Sequence, residues 1–158
     1  MAYNRKEQGF LKDLQNDEKT CAEKYRQAAQ AACDPVLQQL FSEISEAETD
    51  HYNTVTQMLD SGKAPATSAS QTGRKAGSGG SKSASQLRSQ ASATEKRQDA
   101  YLLADLLATE KYVSAAYNTA VFEFCDEASR KTLSGIQQQE QHHGKQLADY
   151  MMANNMYC

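Results

Sequence analysis

Two halves of the chain carry the same pattern of acidic and imidazole side chains, displaced by 92 residues. Each copy has one glutamate and, 30 residues later, a second glutamate that opens a Glu-x-x-His sequence. The six residues are Glu18, Glu48, His51, Glu110, Glu140 and His143. Four carboxylates and two imidazoles on helical segments form the ligand set of a dimetal site in a four-helix bundle. The repeat therefore predicts one such site, shared by two similar halves.

Apolar residues flank these positions at alternating steps of three and four, the spacing of one face of an α-helix. The four rows begin at Leu11, Phe41, Leu103 and Leu133, and each contains predicted ligands. The chain is therefore predicted to be all-α, a four-helix bundle of two pseudo-symmetric helical hairpins joined by a long crossover linker. The predicted ranges are 5–61 for the first hairpin, 62–92 for the linker and 93–153 for the second hairpin, in one domain that spans 1–158.

Capping signals mark the expected helix ends. The predicted caps are Asn4 with Glu7, Asp34 before Pro35, Gly62, Ser92 with Glu95, and Asp126 before Glu127. Counted from the two hairpin turns at about 1.5 Å per residue, the six predicted ligands all lie about 20 to 24 Å along their helices. They are therefore expected to meet at the middle of the bundle.

Composition and charge argue against several other classes of protein. The 158 residues carry a formal net charge of −3, of which the segment between Asp60 and Glu95 contributes +5 and the remainder −8. An acidic folded part argues against binding to nucleic acid. No apolar run reaches the roughly 18 residues of a membrane helix, and residues 1–10 are too polar for a signal peptide. We therefore expect an intracellular protein with no membrane partner.

The basic segment is rich in Ser, Gly and Ala from residue 61 to residue 91, with almost nothing to bury. This composition predicts a flexible, solvated linker, and a cationic tether for acidic surfaces is the alternative. The four cysteines of the chain include no Cys-x-x-Cys pair and are expected to be reduced thiols.

Ionised carboxylates inside apolar seams cost several kcal/mol each unless an opposite charge compensates them. No Lys or Arg occupies the four seams, which leaves protonated carboxyls, trapped water or bound cations. Two divalent metals bridged by Glu48 and Glu140, each also bound by one histidine and by Glu18 or Glu110, would neutralise all four acids. A Glu-x-x-His pair shares one helix face and can bind one metal. Mixed oxygen and nitrogen donors suit iron or manganese.

Two tyrosines, Tyr25 and Tyr117, lie seven residues beyond the first glutamate of each copy, on the same helix faces. A buried tyrosine needs a partner for its hydroxyl. That partner is either a ligand carboxylate on a neighbouring helix, which would make both tyrosines supporting residues of the site, or solvent and backbone, as for an ordinary core tyrosine. The remaining histidine, His142, is expected to point away from the seam.

The order of the six ligands resembles the bacterioferritin-type set of the ferritin-like dimetal carboxylate superfamily. The second half is similar to the spore coat protein F family of spore-forming bacteria, through the run DLLATEKYVSAAYNTAVFEFCDEASRKTLSGIQQQEQHHGKQLADYM and the NNMY ending. The first half looks like the amino-terminal hairpin of the same group, through EKYRQAAQAACDPVLQQLFSEISEAETDHYNTVTQML.

This resemblance implies a ferritin-like bundle, two iron or two manganese ions per chain, and residence in the spore coat. It favours an oxidoreductase that acts on ferrous iron, oxygen or peroxide, by ferroxidase, peroxidase or catalase-like chemistry. The alternative is a structural coat component whose metals only stabilise the bundle, and a metal-free bundle with protonated carboxyls is a third hypothesis.

The end of the sequence bears on the expected partners. Only eight residues follow Tyr150, too few for the fifth helix that helps to close ferritin cages. We therefore expect a small homo-oligomer such as a dimer rather than a cage, with other coat proteins as further partners.

Overall fold

A computed structural model describes residues 2–66 and 82–157 of the chain. It contains four α-helices, and the described residues include no strand. The helices are α1 (Arg5–Ala31), α2 (Pro35–Ser61), α3 (Ala93–Glu123) and α4 (Glu127–Ala153). They form an all-α four-helix bundle of two hairpins, α1 with α2 and α3 with α4, which confirms the predicted fold class. In this part of the chain, no helix combines the length and apolarity needed to cross a membrane.

The predicted caps determine where the helices begin and end. Both hairpins open with a capping box, in which Asn4 and Ser92 accept hydrogen bonds from the first turn while Glu7 and Glu95 bond back to the capping backbone. Asp34 and Asp126 cap α2 and α4. At the end of α2, Gly62 takes the left-handed conformation with φ of 67°, which a residue without a Cβ adopts at little cost.

Hydrogen bonds between the hairpins fix their relative position. The carboxylate of Asp99 on α3 accepts hydrogen bonds from the backbone N–H groups of Cys33, at 2.7 Å, and Asp34, at 3.1 Å, in the α1–α2 turn. In return, Glu7 on α1 accepts one from the N–H of Cys125, at 3.1 Å, in the α3–α4 turn. Glu7 and Asp99 are also related by the offset of 92 residues. A carboxylate at the start of each hairpin therefore accepts hydrogen bonds from backbone N–H groups in the turn of the other hairpin. This places α1 and α3 antiparallel to each other.

The hydrophobic core consists of two clusters, one on each side of the predicted ligands along the bundle. The cluster near the α1–α2 turn includes Phe41 and Leu103, and the cluster near the α3–α4 turn includes Leu11 and Leu133. All four of these side chains are fully buried, and burial of each stabilises the fold by about 1.5–3 kcal/mol. The ligand seam is thus held between two apolar layers.

The described end of the predicted linker packs more closely than its composition suggests. Leu87 lies against the core, and Ser89 is buried. The side chain of Asn154, just after α4, accepts a hydrogen bond from the Ser89 N–H and donates one to the Leu87 carbonyl, both at 2.8 Å. A single apolar residue and one amide are enough to dock this stretch. The predicted flexible linker spans residues 62–92, and its part from 67 to 81 lies outside the described residues.

Candidate metal centre

All six predicted ligands are buried at one level of the bundle. In the first hairpin, Glu18 and Glu48 are 0% exposed and His51 is 1% exposed. In the second hairpin, the ligands are slightly more exposed. Their exposed fractions are 4% for Glu110, 1% for Glu140 and 6% for His143. The helical seams read from the sequence therefore do bring these side chains together.

The six side chains form two overlapping groups that are suited to hold metal ions. Within each group, one donor atom per residue lies within 4.8 Å of every other. The first group is Glu18, Glu48, His51 and Glu140, and the second is Glu48, Glu110, Glu140 and His143. Glu48 and Glu140 belong to both groups, so the geometry is compatible with the bridging roles predicted from the sequence.

Distances around the two histidines repeat across the pseudo-twofold axis. The Nδ1 atom of His51 lies 2.9 Å from Glu140 Oε1, and the Nδ1 atom of His143 lies 2.9 Å from Glu48 Oε1. The distances from Nδ1 to the glutamate three residues earlier are 3.3 Å and 3.5 Å. Those to the remaining glutamates, Glu18 and Glu110, are 3.7 Å and 3.8 Å. Both imidazoles therefore turn the same nitrogen toward the carboxylates.

Several of these donor atoms lie close together without forming hydrogen bonds. Among the described residues, the buried atoms without a hydrogen-bond partner are Glu18 Oε2, Glu48 Oε1, Glu110 Oε2, Glu140 Oε1 and His143 Nδ1. Three of them, Glu48 Oε1, Glu140 Oε1 and His143 Nδ1, gain an ion-pair partner at 2.9 Å only when the histidines are protonated. Each such atom costs about 1–3 kcal/mol when nothing satisfies it. Neighbouring donors around an octahedral cation lie about 3 Å apart when each is about 2.1 Å from the ion. The observed separations of 2.9–3.8 Å thus suit shared cations, and the residues present fit a pair of divalent metals.

Burial and mutual repulsion set the protonation of the two outer glutamates. Burial raises the pKa of Glu18 well above its ordinary value. Burial, followed by the charges of Glu48 and Glu140, raises the pKa of Glu110 to about 11. Without a cation, these two carboxyls therefore hold protons at neutral pH.

The bridging glutamates and the histidines behave in the opposite way. Burial works against ionisation of Glu48, but contacts with His143 and His51 lower its pKa below the ordinary value. The pKa of Glu140 is lowered for the same reason. Burial alone would lower the histidine pKa values, but the contacts with Glu140 and Glu48 raise the pKa of His143 to about 9, and that of His51 is also raised. In the metal-free site, the negative charges of Glu48 and Glu140 are therefore neutralised by the positive charges of His51 and His143.

Each of the two tyrosines forms a hydrogen bond from its own hairpin to a predicted ligand in the other hairpin. The Tyr25 hydroxyl donates a hydrogen bond to Glu110 Oε1, and the Tyr117 hydroxyl donates one to Glu18 Oε1. Of the two alternatives, the structure shows the bond to a ligand carboxylate. In both glutamates the tyrosine hydroxyl bonds to Oε1, and Oε2 has no hydrogen-bond partner. Such bonds orient a carboxylate so that its second oxygen can bind a metal.

An amide that the sequence analysis missed holds one of the histidines. The Nε2 atom of His51 lies 2.8 Å from Gln139 Oε1. Because the amide oxygen accepts, a neutral His51 carries its proton on Nε2 and presents the Nδ1 lone pair to the carboxylates. The residue at the corresponding position of the first half is Ala47. No repeat signal marks Gln139, so the duplicated pattern does not predict its role.

The remaining histidine and the cysteines lie outside the ligand set. His142 is exposed, as expected. Cys21 lies in the α1 seam, but burial raises the pKa of its thiol and disfavours the thiolate that metals bind. Cys33 and Cys125, in the turns, are free thiols like Cys21.

The second hairpin matches a known family of protein domains. Residues 98–157 match the family model of the Coat F domain. The matched part contains three of the six ligands and Tyr117, and it covers less than half of the chain. No curated protein and no solved structure matches the chain. The similarity of the second half to spore coat proteins is therefore supported by a family match, whereas the ferritin-like resemblance depends on the ligand pattern.

Proposed function

We propose that this protein is a ferritin-like dimetal carboxylate protein of the spore coat that binds two iron or two manganese ions per chain. The observation that carries the proposal is the set of five buried donor atoms without hydrogen-bond partners. They belong to two four-residue groups with two carboxylates in common. Protein interiors rarely leave such atoms unsatisfied, and a cation pair would satisfy all five.

Each residue has a distinct task in this proposal. Glu48 and Glu140 hold both ions, while Glu18 and Glu110 each hold one ion through the oxygen that no tyrosine occupies. Gln139 keeps the His51 ring in orientation. When bound, a pair of iron or manganese ions supplies redox chemistry with ferrous iron, oxygen or peroxide as substrate. The residues exclude bulk water from the site and hold the ligands in register.

The coat location is supported by the Coat F match of the second hairpin. A structural role for the metals is the second candidate, and it is favoured by the burial of the ligands, none of which is more than 6% exposed. In that case the ions replace the protons of the metal-free site and stabilise the bundle without turnover. Both candidates require metal binding by the same six residues.

The decisive experiment is a metal titration with two matched histidine variants. Apo-protein prepared with a chelator is titrated anaerobically with Fe²⁺ and with Mn²⁺ by calorimetry, and bound metal is measured by elemental analysis. We expect about two ions per chain for the wild type and for His142→Ala, whose side chain is exposed, and fewer for His143→Ala. A stoichiometry near zero in the wild type, or equal binding by both variants, contradicts the proposal.

Activity assays then separate the two candidates. Oxygen uptake after addition of Fe²⁺, and consumption of hydrogen peroxide by the manganese-loaded protein, are compared with the same reactions of His143→Ala. Turnover that depends on His143 supports the oxidoreductase. Metal binding that raises the melting temperature without turnover supports the structural role.

A further inference from the structure

Two grooves on the bundle surface are related by the same duplication as the ligands. One lies between α1 and α2 and has a volume of about 410 Å³, and the other lies between α3 and α4 and has a volume of about 610 Å³. Every residue that lines the α1–α2 groove corresponds, at the offset of 92, to a residue that lines the α3–α4 groove. Differences between them therefore reflect individual substitutions on a common scaffold.

Only the α3–α4 groove reaches the ligand carboxylates. Glu110 and Glu140 form part of its lining. Their counterparts, Glu18 and Glu48, are not part of the lining of the α1–α2 groove. The exposed fractions agree, because Glu110 is 4% exposed against 0% for Glu18, and His143 is 6% exposed against 1% for His51.

One substitution accounts for much of this difference. Tyr52 is half-buried and lines the α1–α2 groove, directly after His51. The corresponding residue after His143 is Gly144, which lines the α3–α4 groove. In the first hairpin, the phenol ring of Tyr52 therefore fills a volume that is open at Gly144 in the second hairpin.

Packing and backbone conformation do not require a glycine at position 144. A Cβ there would meet Leu107 Cδ1 at 3.7 Å and the Cβ of Glu110 at 3.9 Å, both ordinary contacts. Gly62 is the positive-φ glycine among the described residues, so Gly144 has ordinary helical backbone. Within a helix, glycine costs roughly 1 kcal/mol relative to alanine. The open groove is the structural consequence of this otherwise unfavourable residue.

A second pair of substitutions also makes the α3–α4 groove more open than the α1–α2 groove. In the first hairpin, Gln15 Nε2 donates a hydrogen bond to Thr56 Oγ1 at 2.7 Å, which links α1 to α2. The corresponding residues are Leu107 and Ala148, which cannot form this bond and which both line the α3–α4 groove. The second hairpin thus lacks a ring at position 144 and the polar bridge; the tyrosine that lines its groove is Tyr157, which follows α4 and is 47% exposed.

We propose that the α3–α4 groove is the route by which a small neutral or anionic ligand of the size of peroxide reaches the dimetal centre. The ligand passes Gly144 and meets the ion held by Glu110 and His143. Tyr52 closes the equivalent route to the ion held by Glu18 and His51. Lys111 lines the groove and supplies positive charge that favours an anion, whereas Lys145, also in the lining, forms an ion pair with Asp149 at 2.5 Å. This inference depends on the proposed metal binding and makes the two ions inequivalent.

The test uses azide, a small anion, with the cobalt-loaded protein. Cobalt content is measured first, and azide binding is then followed by the change in the visible absorption of Co²⁺ in a stopped-flow instrument. We expect one azide per two cobalt ions in the wild type. We expect Gly144→Tyr, which copies the first hairpin, to bind azide at least ten times more slowly at unchanged cobalt content.

Two further variants keep the test decisive if Gly144→Tyr folds poorly. The double variant Leu107→Gln/Ala148→Thr rebuilds the polar bridge of the first hairpin and is also expected to slow azide binding. Tyr52→Ala is expected to admit a second azide per chain. Failure to bind cobalt would reject the proposed function itself. Full cobalt content with azide kinetics that none of these changes alters would overturn the access route alone.

Discussion

Replacement of Glu110 by glutamine separates the metal-free site from the metal-bound site. Burial and the charges of Glu48 and Glu140 raise the pKa of Glu110 to about 11, so its carboxyl is neutral at pH 7 without metal. An amide is also neutral and nearly the same shape. We therefore expect Glu110→Gln to change the free energy of unfolding of the apo-protein by less than about 1 kcal/mol.

The metal-bound protein should respond differently. A ligand present at 1,000 times its dissociation constant stabilises a folded protein by about 4 kcal/mol. For a domain of this size, 1 kcal/mol shifts the melting temperature by about 2–4 °C, so each bound ion should raise it by about 8–16 °C in the wild type. Glu110→Gln removes an anionic ligand of one ion and should abolish most of the increase that this ion contributes.

The control is Glu48→Gln, at a glutamate whose pKa is lowered by its contacts with His143 and His51. Here the substitution removes a buried anion and leaves imidazolium charge uncompensated, which should cost about 3–5 kcal/mol even in the apo-protein. Both variants are unfolded with heat and with urea, followed by circular dichroism, in chelator and in excess Mn²⁺ at pH 7. Equal destabilisation of the two apo-variants would refute the assigned protonation. A wild-type increase with metal in Glu110→Gln would exclude Glu110 as a ligand.

Three further outcomes can be measured on the same material. The apo-protein should lose stability as the pH rises from 6 to 9. On folding, the pKa of His143 rises from 6.5 to about 9 and that of Glu110 rises from 4.5 to about 11, so over this range the folded state holds protons that the unfolded state has released. Melting curves across this range check the sign. Binding of two divalent ions at pH 7 should release about four protons, two from carboxyls and two from imidazoliums, as measured with an indicator dye in weak buffer. Gln139→Ala should weaken metal binding about 10–100-fold, whereas Gln138→Ala, at the exposed neighbouring position, should leave it unchanged in calorimetry.

The sequence predicted the parts of the molecule that depend on local periodicity. Seams with alternating steps of three and four locate the buried faces of all four helices, and a short polar cap followed by an acid or a proline locates their starts. The duplication added long-range information, since two hairpins with ligands at equal distance from their turns have few ways to pack other than with the ligands facing each other. For this reason the fold class followed from the sequence.

The contacts between hairpins depend on which helices become neighbours, and periodicity does not contain that information. Asp99 lies in the third helix with no apparent partner in sequence, yet its carboxylate caps the α1–α2 turn because α1 and α3 are antiparallel neighbours. The sequence predicts a capping box for Glu7, whereas its hydrogen bond to the N–H of Cys125 depends on the same pairing of helices. The duplicated pattern does not indicate the role of Gln139, because the equivalent position in the first half is alanine.

Comparison of the two halves shows which features the duplication has kept and which it has changed. The six ligands, the two tyrosines that bond to them and the two acids that satisfy the opposite turns all occur in pairs. The residues around the ligands differ, with Gly144 opposite Tyr52 and Gln139 opposite Ala47. A purely structural metal site gains nothing from one open side, because exposure of a buried carboxylate to water weakens its attraction for a cation. A site that must admit a substrate requires such an opening on at least one side. If the proposed metals bind, the asymmetry of the grooves therefore favours chemistry at the ion that Glu110 and His143 would hold, while the other half of the site would keep its partner ion in place.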